Sequence, residues 1–207
     1  MAIGDPYVTL AEMKAYARID DTDADTAITS IIKSASRIVD DHCGRQFNDA
    51  GSVSARVFES IGAGLAMVDD FSTATGLIVE TGPDSTTGYS TTISGNDYTL
   101  LPLNGVVEHM PGYAYNRIKL ANTSSFCSSN GKPALRVTAR WGWAAVPDGV
   151  KDATLIVGAK LFGRRYSPSG QPIAGAGDFM FRISSRDDPD ATAALSPYRF
   201  KIPPVGT

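Results

Sequence analysis

The stretch from Trp141 to Tyr166 constrains the fold most, because a strand pattern gives way there to a long apolar helix pattern. Val146 precedes a proline, and a residue in that position is pushed out of the α region, so the strand ends there. Pro147 or Asp148 can then open a helix with a carboxylate near its positive end. The sequence therefore predicts a change from sheet to helix at this proline.

The predicted helix, which should end at about residue 165, is apolar around most of its circumference. Val150, Ala153 and Val157 share one face at helical spacing, and a helix with such a wide apolar stripe is buried on more than one side. Gly158 and Gly163 each cost about 1 kcal/mol relative to alanine, and we expect them to permit a close backbone crossing. Two interpretations remain open: a central helix of the chain's own core, or a helix that contacts another subunit.

Two helices are predicted near the start of the chain. Thr9 and Glu12 have the spacing of a capping box, so the first helix should start at Thr9 and run to about Arg18, with Met13 and Tyr16 facing inward. The second helix has the clearest periodicity in the chain and should end at Gly44. Its predicted inward residues are Ile28, Ile31, Ile32, Ala35, Ile38, Val39 and His42, and its predicted outward residues include Ser36, Arg37 and Asp40.

From about residue 48 the pattern changes to short alternating runs rich in Gly, Ser and Thr, which is typical of an antiparallel sheet. The last two runs predict a hairpin across Asn130-Gly131. In its second arm Arg136, Thr138 and Arg140 alternate with apolar residues, so we expect a half-buried strand with one cationic face. The predicted strands are Ala55–Ser60, Leu65–Phe71, Gly76–Glu80, Asp97–Leu101, Asn116–Ala121 and Ala134–Trp143.

The segment after Tyr166 is rich in Pro, Gly, Ser and Asp and lacks a periodic face, apart from a short turn of helix at residues 190–195. Its aromatic and arginine residues are of the types that interfaces favour, so we interpret it as an arm that orders on a partner. Residues 151–207 carry a net charge of +3 and the first fifty residues −4, which suits head-to-tail contacts between copies. The predicted partner-binding residues are Arg164, Arg165, Phe179, Phe181, Arg182, Tyr198, Arg199 and Phe200.

Composition excludes several classes of function. The net charge of −3 gives no general nucleic-acid signal, and no apolar run of 18 residues predicts a membrane span. The start of the chain does not resemble a signal peptide. Cys43 and Cys127 are expected to be free thiols of a protein made in the cytoplasm.

The sequence shows no motif that carries catalysis. Ser36, Asp40 and His42 are close in sequence but are predicted to lie on different helix faces, so they do not form a triad. The acidic turn at residues 20–25 has a spacing that suggests calcium, but the glycine and the distal glutamate of an EF-hand are missing. We therefore expect no enzyme activity, no cofactor and no metal, and we interpret the turn as the acidic start of the second helix.

The opening residues 7–21, YVTLAEMKAYARIDD, together with the second helix I-x-x-I-I-x-x-A-x-x-x-V and its ending Cys43-Gly44-Arg45, resemble the head–tail connector (adaptor) proteins of long-tailed bacteriophages, of the gp6-like type. Residues 147–165 are similar to the third helix of that family. Residues 175–179 and 195–199 resemble the C-terminal arm of adaptors from phages of actinobacteria. The inserted sheet departs from the short, all-helical members.

The resemblance implies a structural protein of the virion neck, made in the host cytoplasm. It implies a ring of identical copies, usually twelve, that binds the portal protein above and a stopper or tail-terminator protein below. It also implies that viral DNA passes through the lumen without sequence-specific binding and that no membrane is involved. An overall charge of −3 is compatible with this role, because a strongly basic wall would hold the phosphates.

We therefore predict an α+β protein: a small bundle of three main helices with an inserted antiparallel β-domain and an extended C-terminal arm. The expected domains are 1–47 with 146–170 for the helical body, 48–145 for the sheet and 171–207 for the arm. The alternative is a tail-associated β-rich module that binds a receptor or a carbohydrate. In that case the exposed rings of Tyr89, Tyr113 and Tyr115 would supply its platform.

Overall fold

The computed structural model describes residues 4–62, 64–82, 88–89, 91–121, 135–166 and 188–200. The chain divides into two compact units. The helical unit contains Gly4–Phe47 and Val146–Ile202, and the β unit contains Asn48–Ala145. The predicted mixed α+β fold, with helices and an antiparallel sheet, is confirmed. None of the described helices combines the length and the apolar content needed to cross a bilayer.

Helix α1 of the helical unit spans Leu10–Ala17 and begins with the predicted capping box. The Glu12 amide donates to Thr9 Oγ1 at 3.2 Å, and the Thr9 amide donates to Glu12 Oε2 at 2.6 Å, so two donors of the first turn are satisfied. Met13 is fully buried, but Tyr16 exposes 50% of its surface. The inward position predicted for Tyr16 is wrong, because this short helix buries only a narrow stripe around Met13.

Helix α2 spans Asp25–Cys43, and the predicted end at Gly44 is confirmed. Gly44 adopts a left-handed conformation with φ +66°, and its amide donates to the carbonyl of Asp40 at 2.8 Å. Ile28, Ile32 and Val39 are buried as predicted. Ile38 was also predicted to face inward and is instead exposed.

Helix α3 spans Asp148–Tyr166 and packs against α1 and α2. A Cβ atom at Gly158 would lie 3.2 Å from Met13 Sδ, so this glycine does allow the close approach that the sequence predicted. No heavy atom of the described residues lies within 4 Å of the equivalent position at Gly163. Among the described residues, therefore, Gly158 is required for close packing and Gly163 is not.

Helix α4 spans Pro189–Leu195 and covers part of α3. Asp188 caps it, because its Oδ1 accepts hydrogen bonds from the amides of Asp190 and Ala191, and Lys160 of α3 lies 3.4 Å from Asp188 Oδ2. The sequence predicted an extended arm from residue 171 onward with only a turn of helix at 190–195. Residues 188–200 instead pack on the helical unit, because Ala191 and Leu195 give even this short helix an apolar face.

We expect Leu195→Ala to destabilise the docking of α4 by about 2–4 kcal/mol, because Leu195 is 3% exposed and its removal leaves a cavity under a seven-residue helix. Hydrogen exchange of the α4 amides should accelerate by more than tenfold. Ala193→Gly, at an exposed position of the same helix, should cost only about 1 kcal/mol. Equal acceleration in both variants would contradict an apolar anchor at Leu195.

The β unit contains two four-stranded antiparallel sheets joined through the pair Phe71–Trp141 into one curled sheet. The first sheet has the strand order β1-β8-β4-β5, and the second has the order β2-β3-β7-β6. The strands are β1 Asp49–Phe58, β2 Ser60–Gly62, β3 Leu65–Phe71, β4 Ile78–Thr81, β5 Thr91–Thr92, β6 Tyr98–Leu101, β7 Tyr115–Leu120 and β8 Leu135–Gly142.

The core of the β unit is organised by β8. Its apolar residues alternate inward as predicted, and Trp141 packs edge-on against Phe71 with ring centroids 6.2 Å apart. The indole N–H groups are also satisfied: Trp141 donates to the Ser54 carbonyl at 2.9 Å, and Trp143 donates to Asp70 Oδ2 at 2.9 Å. The two tryptophans therefore tie strands of both sheets to β8.

The predicted hairpin between the last two strands is wrong. β7 pairs with β3 and β6, while β8 pairs with β1 and β4 and meets β3, so β3 lies between β7 and β8. The Asn130-Gly131 signal predicts a local turn but does not determine which strand β7 pairs with. The apolar strand β3 pairs with β7 in place of β8. Residues 122–134, which contain this signal, lie outside the described part of the chain.

Candidate functional site: the α2 junction and the charged sheet face

The helical unit contains a buried polar cluster where the chain entering α1 meets the C-terminal end of α2. We name it the α2 junction and define it by Tyr7, Ser36, Asp40 and Phe47. The Tyr7 hydroxyl donates to Asp40 Oδ1 and accepts a hydrogen bond from the Phe47 amide at 2.9 Å. The Tyr7 amide donates to Ser36 Oγ at 3.1 Å. One side chain thus connects the segment before α1, the last turns of α2 and the segment after it.

Burial controls the ionisation of the α2 junction. It raises the pKa of the Asp40 carboxyl, while the hydrogen bond from Tyr7 and the nearby Arg37 guanidinium act in the opposite direction. Burial, and then the hydrogen bond to Asp40, also raise the pKa of the Tyr7 hydroxyl above its ordinary value. The phenol therefore remains protonated and serves as a permanent donor to the carboxylate.

Tyr198 and Phe200 lie against the end of α2 and the segment that follows it. The Tyr198 ring meets the Phe47 ring edge-on at 6.0 Å, the Phe200 amide donates to the Cys43 carbonyl at 2.8 Å, and the Arg45 guanidinium lies 5.2 Å from the centre of the Phe200 ring. Cys43 is buried, and this burial raises the pKa of its thiol to about 11. The thiol is therefore unreactive.

The structure separates the predicted partner-binding residues into three groups. Tyr198 and Phe200 contact their own chain, while Arg199 between them is exposed. Arg164 is exposed near the end of α3. Phe179, Phe181, Arg182 and the side chain of Arg165 lie outside the described part of the chain.

The outer face of β8 carries the predicted arginines, but its charge is balanced. Arg136 makes two hydrogen bonds of 2.7 Å to Glu80, and Arg140 binds the Asp49 carboxylate through Nε at 2.9 Å and through a second N–H group. These bonds hold the pKa of both carboxyl groups below the ordinary range. The sequence showed the cations of this face, and the strand pairing adds the anions.

An open groove of about 670 Å³ lies beside Arg140 in the β unit. Its lining combines apolar residues such as Val53 and Ala144, hydroxyl groups of serine and threonine residues, and the charged pair of Asp49 and Arg140. Among the described residues, no group of three or more His, Cys, Asp or Glu side chains could hold a metal ion. In the acidic turn, the Lys14 ammonium donates to the Asp21 carbonyl at 2.6 Å and to the Asp25 carboxylate at 2.7 Å.

The tyrosine platform of the alternative function is not formed. Tyr113 is buried against Trp143 with ring centroids 5.5 Å apart, and Tyr115 packs on Phe71 at the same distance. The Tyr89 ring lies 5.0 Å from the Arg136 guanidinium. The prediction of three exposed rings is wrong, because neighbouring aromatic and arginine side chains cover them.

Comparison with known proteins decides which family the first part of the chain resembles. Residues 7–63 match the family model described as "Phage gp6-like head-tail connector protein". This part of the chain is similar to gp6-like head-tail connector proteins, and we name residues 7–63 the connector segment. The connector segment comprises α1, α2, β1 and β2, and it contains the whole α2 junction. The resemblance found in the sequence is thus confirmed.

Solved structures share the fold beyond the connector segment. A chain in "Neck of empty GTA particle computed with C6 symmetry" has a TM-score of 0.55 at 14% identity, covering 98% of this chain and 93% of its own. A chain in "Neck of native GTA particle computed with C12 symmetry" has a TM-score of 0.53 at 14% identity with the same coverage. No curated protein sequence matches.

The sequence analysis did not identify two buried polar residues of the α2 junction. Ser36 and Asp40 were predicted to face outward and are 0% and 8% exposed. A prediction from helical periodicity assigns polar residues to the surface. These two side chains can be buried because Tyr7, far away in the sequence, forms hydrogen bonds with both of them. The available signal was the Tyr7 side chain itself, an aromatic hydroxyl two residues before the cap of α1.

Proposed function

We propose that this protein is a structural, non-enzymatic head–tail connector of a phage-like particle. Copies of the chain form a closed ring in the neck, between the portal protein and a stopper or tail-terminator protein. The ring joins the DNA-filled head to the tail and lets the DNA pass. The observation that carries the proposal is the gp6-like match over residues 7–63 in a chain whose whole fold resembles chains of gene transfer agent necks.

The number of copies is part of the proposal. The two neck structures that resemble this chain were computed with C6 and C12 symmetry, and a ring of twelve identical subunits is compatible with both. A closed ring needs heterologous contacts whose rotation closes on itself. Exposed Arg164 and Arg199 of the helical unit are candidates for contacts with the portal protein.

The charge distribution of the β unit supports a role in which DNA passes without being held. Arg136 and Arg140 are paired with Glu80 and Asp49, and Arg56 is paired with Asp69 at 2.6 Å. Each paired guanidinium attracts a phosphate less than a free one does, so little affinity is gained from counterion release. A sheet face of this kind suits contact with a protein better than retention of a duplex.

A complementation experiment tests the proposed function. In the parent particle, removal of this chain should give heads that are filled with DNA but carry no tails, and the wild-type chain supplied in trans should restore joining. Thr99→Lys, a substitution at an exposed position of β6, should restore joining equally well and serves as the control for added charge. Normal joining in the absence of the chain would overturn the proposal.

A further inference from the structure

Residues 188–200 contact the two places where the helical unit is interrupted. We name this segment the clasp, and it comprises the cap of α4, α4 itself, the short 3₁₀ turn after it and the two residues that follow. The β unit is inserted into the helical unit between Phe47 and Val146. The clasp lies against chain segments on both sides of this insertion, as the contacts of one of its rings show.

The Tyr198 ring of the clasp reaches both sides of the insertion. It meets the Phe47 ring, at the end of the first segment, edge-on with the ring centroids 6.0 Å apart. It also lies against the first turn of α3, because a Cβ atom at Gly149 would be 3.1 Å from Tyr198 Cε2 and 3.1 Å from the Ala194 carbonyl oxygen. The clasp can approach α3 this closely because residue 149 carries no side chain.

Phe47 links the clasp to the start of the chain. We name residues 4–8 the leader, and Tyr7 is the residue of the leader that touches Phe47. Their rings meet edge-on with centroids 5.8 Å apart, and the Phe47 amide donates to the Tyr7 hydroxyl at 2.9 Å. Tyr7, Phe47 and Tyr198 therefore form a continuous series of aromatic contacts that connects the two ends of the helical unit.

The clasp is held by few contacts compared with the helices that it covers. Only Ala191 and Leu195 of its residues are buried. Its end is attached by one backbone hydrogen bond, from the Phe200 amide to the Cys43 carbonyl at 2.8 Å. A segment with so few buried apolar residues opens at a lower free energy than a core helix, so the clasp should open while α2 and α3 stay folded.

We propose that the clasp is a releasable closure of the helical unit and that its opening loosens the leader through Phe47. In the closed form Tyr198 confines the Phe47 ring, and Phe47 holds Tyr7 through its ring and its amide. In the open form Phe47 loses the contact with Tyr198, and its hold on Tyr7 weakens. Coupling of this kind is reciprocal, so a change at the leader also acts on the clasp. The device works within a single copy and does not rest on the proposed function.

Hydrogen exchange of the full-length chain, followed by NMR, tests the clasp. Gly149→Val places a branched side chain against Tyr198 and should accelerate exchange of the α4 amides by about tenfold or more. The amides of Tyr7 and Phe47, which donate to Ser36 Oγ and to the Tyr7 hydroxyl, should accelerate by about threefold or more. Amides in the middle of α2 should keep their wild-type rates.

Gly163→Val, in the same helix, is the matched control for Gly149→Val. Gly163 is exposed, and no heavy atom of the described residues lies within 4 Å of the position of its Cβ, so exchange should change in neither the clasp nor the leader. Unchanged α4 amides in Gly149→Val would overturn the closure, and faster exchange of the α4 amides alone would overturn the coupling. Faster exchange throughout α2 would mean that the helical unit opens as a whole, which also contradicts the proposal.

A double-mutant cycle gives a second readout that does not depend on Gly149. Tyr198→Ala and Tyr7→Phe each remove a contact of Phe47, and each should lower the urea midpoint of the full-length chain. Because an open clasp already loosens the leader, the combined variant should lose less than the sum of the two single losses. Tyr198→Ala combined with Tyr16→Phe is the control pair and should be additive. Additive losses in both pairs would overturn the coupling.

Discussion

Tyr7→Phe should destabilise the helical unit by about 2–4 kcal/mol, although it removes a single oxygen atom. That oxygen donates to the Asp40 carboxylate and accepts from the Phe47 amide, and Tyr7 is 1% exposed, so water cannot replace it. The substitution leaves one charged and one neutral group buried without this partner. Tyr16→Phe, at a half-exposed ring on α1, is the control and should change stability by less than about 0.5 kcal/mol.

The effect of Tyr7→Phe should depend on pH. The Tyr7 hydrogen bond lowers a carboxyl pKa that burial raises, so its removal raises the folded-state pKa of Asp40 further. A carboxyl whose pKa is raised on folding costs stability as pH rises from its unfolded pKa, about 4, through its folded value. The destabilisation should therefore be smaller at about pH 4 than at about pH 7. Urea unfolding followed by helical circular dichroism measures it, and a loss independent of pH would contradict the role assigned to Asp40.

Gly142→Ala should be the most damaging single substitution in the β unit, at a cost on the order of 4 kcal/mol or more. Gly142 has φ +98°, and an added Cβ would lie 1.7 Å from the Asn48 carbonyl oxygen, a backbone atom at the start of β1. Relief of this clash requires β1 and β8 to separate at the point where Asp49 pairs with Gly142. Trp141 and Trp143 are the only tryptophans of the chain, so their fluorescence reports unfolding of this unit.

Gly112→Ala is the matched control for Gly142→Ala. Gly112 has a similar φ of +91°, but no heavy atom in the described part of the chain lies within 4 Å of the position of its Cβ. It should therefore show only the backbone strain, about 1–3 kcal/mol. The difference between the two variants isolates the clash with Asn48, and equal losses of stability would show that the contact between β1 and β8 is not as close as described.

The local signals in the sequence predicted most of the helical unit. The capping box at Thr9, the left-handed end at Gly44 and the helix after Pro147 each depend on a few neighbouring residues, and the structure confirms all three. Strands β3, β4, β6, β7 and β8 were placed within one or two residues, because alternation is local too, whereas β1 begins six residues before the predicted start and β2 and β5 were not predicted. The order of the strands was not predictable in this way, since insertion of β3 between β7 and β8 depends on residues far apart in the chain.

The candidate site was less predictable than the fold. The roles of Ser36 and Asp40 depend on Tyr7, about thirty residues away, and the balance of charge on β8 depends on Glu80 and Asp49 in other strands. Tyr198 and Phe200 were predicted as partner anchors from their residue types, and the structure shows Tyr198 packed on Phe47 of the α2 junction and Phe200 beside Arg45. Composition identifies residues that favour contacts but cannot tell an internal contact from an external one.

An image of the assembled particle neck at side-chain resolution tests the central claim most directly. We expect a closed ring of identical copies of this chain between the portal protein and the tail, with α1 and α2 of the connector segment recognisable in every copy. A neck of the same particle that is complete and contains no density for this chain would contradict the account.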